Sequence, residues 1–143
     1  ERGDAWLPEL AILGGMSLPT GDDGFSSNGI DPSLVVSFAY ELSPRLSLGS
    51  NIGVVWESSS EESTRDAAIV YTLALSGELT DRVGGFLELF GDRQITGTSS
   101  SVDGGLTFLL RDLVQLDVYA GRGLRGLADD FFLGMGLSFR VPR

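Results

Sequence analysis

Apolar residues alternate with small or polar ones along most of the chain, and helical periodicity is weak throughout. In 33–42 the even positions are Leu34, Val36, Phe38, Tyr40 and Leu42, against Ser33, Val35, Ser37, Ala39 and Glu41. In 45–57 Leu46, Leu48, Ser50, Ile52, Val54 and Trp56 oppose Ser47, Gly49, Asn51, Gly53, Val55 and Glu57. In 67–79 Ile69, Tyr71, Leu73, Leu75 and Leu79 oppose Val70, Thr72, Ala74, Ser76 and Glu78. Near the C-terminus Val114, Leu116, Val118 and Ala120 oppose Gln115, Asp117, Tyr119 and Gly121, and Phe131, Leu133, Met135, Leu137 and Phe139 oppose Phe132, Gly134, Gly136, Ser138 and Arg140. A period of two marks a strand with one apolar face, because successive side chains leave opposite faces.

The pattern predicts eight strands, at 6–18, 33–42, 45–57, 67–79, 82–92, 101–110, 113–122 and 130–141. The segment 82–92 is the least regular. Placing Glu88 inward also turns Phe86 and Phe90 inward, and inward glycines elsewhere leave room for those rings. Most of these strands run about 9–13 residues, whereas strands of water-soluble proteins average about 5–6 and outer-membrane strands need about 9–11.

The connections alternate in character. "SPR" (43–45), "TDR" (80–82) and "RDL" (111–113) are tight, while 19–32, 58–66, 93–100 and 123–130 are long and turn-rich. Short turns at one end and long loops at the other are the mark of a bacterial up-and-down membrane barrel. The expected fold is therefore an all-β, eight-stranded antiparallel up-and-down transmembrane β-barrel. It forms a single domain over 1–143, or the C-terminal part of a longer barrel, with both termini on the short-turn, periplasmic side.

The character of the second face separates a membrane barrel from a soluble lipocalin-like binder. A solvated strand face carries Lys, Glu, Thr and Arg. Here that face carries Gly, Ser and Ala with isolated acids, which is what a narrow lumen accepts. A register slip of one residue would turn Glu88, Asp103 and Asp117 toward hydrocarbon. Aromatic residues fall at the two rims of the apolar face. Trp56, Tyr71 and Phe131 lie at the long-loop rim, and Trp6, Tyr40, Phe108 and Phe139 at the short-turn rim. Two such girdles are expected at the two membrane interfaces, although cross-strand aromatic pairing gives the same residues a purely structural use.

Composition then removes several function classes. The chain of 143 residues has no Cys and no His, so thiol catalysis, Ser-His hydrolysis and His- or Cys-ligated metal sites are absent. Net charge is −10 and every basic residue is Arg, which disfavours nucleic acid as a partner. The opening "ERGDAW" lacks the basic and apolar regions of a secretory leader, so the start reads as mature or trimmed. Acidic loop residues Asp22, Asp23, Asp31, Glu57, Glu61 and Glu62 lack the EF-hand pattern and read as solvated tips. No metal site, no cofactor and no enzyme activity are expected.

Two joints repeat, "YELSPRL" (40–46) and "GELTDRV" (77–83), with "FLLRDLVQLD" a weaker third copy. Glu41 and Arg45 bracket one turn, and Glu78 and Arg82 the next. Arg111, Arg140 and Glu9 come to the same end. Inward parity for these residues predicts an interleaved Glu/Arg network in the lower lumen, because a guanidinium fork can serve two carboxylates. It reads either as a selectivity filter or as lumen filling that satisfies buried polar groups. Higher up, Glu88, Asp103, Asp117 and Asn51 have fewer Arg partners, Arg93 being the nearest.

"PELAILGGMSLPTGDDG", "SFAYELSPRLSLGSNIGV", "FLELFGDR", "VDGGLTFLLRDLVQLDVYAGRGL" and "FFLGMGLSFR" together resemble a group of bacterial outer-membrane proteins. That family is labelled as transporters linked to the meta-pathway of phenol degradation. The last strand is also similar to the C-terminal signal read by the outer-membrane assembly machinery. The resemblance implies a bacterial outer-membrane location and uptake of small, often aromatic, molecules. Its implied partners are outer-membrane lipid and lipopolysaccharide and the assembly machinery. Eight strands enclose only enough space for side chains, so a closed structural or adhesive barrel without a channel stands as the alternative. Oligomeric state is not legible.

Overall fold

The structure is a computed structural model, and it describes residues 7–21, 29–58 and 65–141. Eight strands follow one another: β1 (Glu9–Ser17), β2 (Asp31–Ser43), β3 (Leu46–Ser58), β4 (Arg65–Thr80), β5 (Val83–Gln94), β6 (Gly97–Arg111), β7 (Val114–Arg125) and β8 (Phe132–Phe139). They form one sheet in chain order, each antiparallel to its neighbour. Among the described residues there is no helix. The all-β, up-and-down, eight-stranded architecture expected from the alternation is therefore present. No hydrogen-bonded ladder joins β1 to β8 among the described residues.

One connection departs from expectation. The segment 93–100 reads as a long loop because it is rich in Gly, Ser and Thr. In the structure β5 runs to Gln94 and β6 starts at Gly97, leaving a turn at Ile95 and Thr96. Arg93 pairs with Thr98, Asp92 with Ser99 and Gly91 with Ser100. Small hydroxyl residues suit a strand once a partner supplies the ladder, because strand preference reflects context more than composition.

The two faces are inverted relative to a water-soluble core. On the apolar parity Leu133 and Met135 are 71% and 76% exposed, and Leu73, Leu87 and Leu137 are also exposed. On the other parity Ser101 and Asp103 are 6% and 9% exposed. Ala68 is the one buried apolar side chain among the described residues. The small, polar face is concave. Phe90 of β5 meets Phe132 of β8 edge to face, with ring centroids 6.1 Å apart, although β6 and β7 lie between their strands.

Hydrogen bonds tie this concave face laterally. Ser37 Oγ donates to Asn51 Oδ1 at 2.6 Å, and Asn51 Nδ2 donates to Thr72 Oγ1 at 2.8 Å. Three strands are thus laced through one amide. Ser47 and Ser76 hydroxyls meet at 2.8 Å nearer the short turns.

The repeated joints share a backbone device. The ladder slips between Glu41 and Ser43, between Glu78 and Thr80, and between Leu109 and Arg111, so a bulge sits beside each of the three short turns. In the two joints with a hydroxyl, that group accepts turn N–H groups. Ser43 Oγ takes Arg45 N at 3.4 Å, and Thr80 Oγ1 takes Arg82 N at 3.2 Å and Val83 N at 3.0 Å. Local acceptors of this kind are what Ser and Thr contribute to turns. Each joint also holds the next: Arg45 O accepts from Glu78 N at 2.9 Å, and Arg82 O from Leu109 N at 2.8 Å.

Replacing Asn51 by Ala removes two side-chain hydrogen bonds at once. Equilibrium urea titration of the refolded variant is expected to show a loss of about 1–3 kcal/mol. Asn51→Asp, which keeps an acceptor for Ser37, should fall between Ala and the parent.

Candidate functional site

The concave face carries a recess near its middle. Its walls come from β4 to β8: Thr72, Phe86, Glu88, Phe90, Asp103, Tyr119 and Phe132 line an open recess of about 480 Å³. Every one of these side chains takes the inward parity, and the register stacks them in rows. Ala74, Glu88, Asp103 and Gly121 form one row, with Phe132 at its end. Phe86, Gly105, Tyr119 and Gly134 form the row nearer the short turns.

Large rings fit here because glycines stand beside them. A Cβ on Gly105 would lie 2.7 Å from Phe86 Cε1, and one on Gly134 would overlap the Tyr119 ring. On Gly121 it would meet both the Phe132 ring and Asp103 Cβ. Glycine supplies close approach, since each ring lies over backbone where any other residue would project. The inward placement of Phe86 and Phe90, expected from the position of Glu88, is seen in the structure.

Glu88 and Asp103 face each other directly across β5 and β6. Opposed side chains in an antiparallel pair have Cβ atoms about 4.5–5.5 Å apart, so two like charges are in direct conflict. Asp103 is nine-tenths buried, and its Oδ1 has no hydrogen-bond partner. Arg93, the nearest expected partner, pairs with Ile69 and Thr98 and takes the outward parity. Arg122, opposite Val102, also points outward. Asp117, further down the same face, accepts a hydrogen bond from Gln115 Nε2 at 2.6 Å.

The expected network at the short-turn end looks different. Glu41, Arg45 and Glu78 do come together around one cleft of about 300 Å³. All three are exposed, as are Glu9, Arg82, Arg111 and Arg140. Among the described residues an ion pair runs between joints, with Arg45 Nη2 3.9 Å from Asp81 Oδ1. The bulges explain the change: they take Arg45 and Arg82 out of the strands and into the turns, where inward parity no longer applies.

The girdle aromatics lie toward the two ends of the outward face. Trp56, Tyr71, Tyr40 and Phe108 are half-buried, and Phe131 and Phe139 are exposed. The Tyr71 hydroxyl meets Ser100 Oγ at 2.6 Å across Gly91. Trp6 lies outside the described residues, as do Asp22, Asp23, Glu61 and Glu62. Asp31 is not a solvated tip: it opens β2, is buried and accepts from Ser58 N at 2.8 Å.

Sequence reasoning placed Tyr119 and Phe132 on the inward side without making them part of a site. The signal available was the pairing of inward rings with inward glycines on neighbouring strands.

These features define an inside-out, up-and-down antiparallel β protein whose polar concave face holds an aromatic recess. The chain belongs to the family described as "Putative MetA-pathway of phenol degradation", whose model matches residues 4–141. No curated protein and no solved structure matches it.

Gly134→Val would drive a side chain into the Tyr119 ring. Overpacking of this kind is expected to lower stability by about 1–3 kcal/mol in urea titration and to alter the near-ultraviolet circular dichroism of the aromatics. Gly14→Ala, where a Cβ meets nothing within 4 Å, serves as the unchanged control.

Proposed function

We propose that the chain is a bacterial outer-membrane β-barrel that takes up small aromatic molecules along its concave face. The observation that carries this reading is the inverted polarity. Leu73, Leu133, Met135 and Leu137 are exposed on one face, whereas Asp103 and Ser101 are buried on the other. In water such a surface would aggregate, because an exposed apolar patch of this extent has no solvent that suits it. Against acyl chains it is the low-energy arrangement, and it leaves small and polar groups for the lumen. A soluble lipocalin-like binder needs the opposite arrangement.

Hydrocarbon accepts no open sheet edge, since every N–H and C=O there needs a partner. On this reading the β1 and β8 edges are satisfied in the membrane, either by each other or by further strands. The family description names phenol degradation, and the recess offers four aromatic rings to a small ring-bearing solute. The same rings favour a second reading. Phe90 and Phe132 meet across the concavity and narrow it, as a structural barrel without a channel would allow.

Protein refolded into lipid vesicles should show heat-modifiable gel migration. The vesicles should admit phenol faster than protein-free vesicles of the same lipid. Heat-modifiable protein with no flux above the lipid background would select the structural barrel. A chain that stays monodisperse without detergent would overturn the membrane reading. Leu73→Arg places a charge on the outward face, and its expected cost in vesicles is about 2–4 kcal/mol.

A further inference from the structure

We infer that the recess between β5 and β8 is a binding site for a small organic cation, an ammonium group carried on an apolar or aromatic body. It rests on the reading of the concave face as a lumen, and it adds a charged binding site to the aromatic walls of that lumen.

Three independent features converge on that chemistry. Glu88 and Asp103 stand opposite each other, and the arginines nearest in the register, Arg93 and Arg122, take the other face. Asp103 lines the recess, is 9% exposed, and leaves Oδ1 without a donor. A buried carboxylate oxygen in that state lacks the hydrogen bond that ordinarily accompanies burial. An ammonium group seated in the recess supplies the charge that relieves the conflict between Asp103 and Glu88.

The rest of the wall speaks for an organic cation over a metal ion. Phe86, Phe90, Tyr119 and Phe132 present rings around the carboxylates, and ring faces attract ammonium groups through their quadrupole. A hard divalent ion wants six or more oxygen ligands. No group of three or more Asp or Glu that could hold a metal ion occurs among the described residues. The recess volume of about 480 Å³ lies within the range of small-molecule sites. Two carboxylates set charge, therefore, and four rings set shape.

Isothermal titration of the refolded protein in detergent tests this with three probes of similar size and different charge: benzylammonium, benzyl alcohol and benzoate. Benzylammonium is expected to bind about tenfold or more tighter than benzyl alcohol, with benzoate weakest. Asp103→Asn and Glu88→Gln should each remove most of that preference, read as the ratio of benzylammonium to benzyl alcohol affinity within the same variant. Phe90→Leu should weaken benzylammonium without making the site accept benzoate. Either carboxylate variant suffices, so if one fails to refold the other still decides the question. Equal binding of benzyl alcohol and benzylammonium would overturn the proposal in favour of a neutral aromatic site. So would displacement of benzylammonium by equimolar calcium, which would point to an inorganic cation. A preference that survives both carboxylate substitutions would overturn it as well. Vesicle flux and heat-modifiability are read separately, so loss of the membrane reading and loss of the cation site give different results.

Discussion

Alternation with a period of two is the constraint on which the rest of this structure depends. It divides almost every strand into an apolar side and a small, polar side, and the ladder then aligns like with like. Once β3 and β4 pair with Ile52 opposite Tyr71 and Asn51 opposite Thr72, both faces of that hairpin are fixed. A shift of one residue would bring Leu73 and Leu75 onto the concave side and send Thr72 and Ser76 outward. The hydrogen bonds of Asn51 to Ser37 and Thr72 belong to the correct register alone.

Glycine completes what alternation starts. The inward rings of Phe86, Tyr119 and Phe132 lie over Gly105, Gly134 and Gly121 on adjoining strands. This complementarity turns a generic polar concavity into a recess of definite shape, and it leaves Asp103 enclosed beside Glu88. Position on the sheet, more than residue type, gives these two acids their character. Asp117 carries the same carboxylate lower on the face, yet it has Gln115 as a donor.

Strand number, order and facing were legible in the sequence because each follows from local alternation. The facing of Glu88, Phe86 and Phe90 was legible too, since one inward acid fixes the parity of its neighbours. The β5–β6 turn was not, because Thr98, Ser99 and Ser100 look like loop until Asp92 and Arg93 are known to lie opposite them. The exposure of the lower charged residues was not legible for a related reason. Parity counting assumes an unbroken strand, and the bulges beside Glu41 and Glu78 break the count just before Arg45 and Arg82. The repeated Ser and Thr of these joints proved informative as turn acceptors, a role that depends on backbone geometry rather than on spacing between charges.

The two outermost strands, β1 and β8, have a different standing from the six between them. All nine residues of β1 are exposed, and a single ladder, to β2, holds it. Partial unfolding should therefore begin at this margin, with amide protons of 9–17 exchanging well ahead of those in β3 or β6. The sheet peels from its margins instead of melting from its centre, and whatever comes to lie against β1 decides how firmly that side of the molecule is fastened.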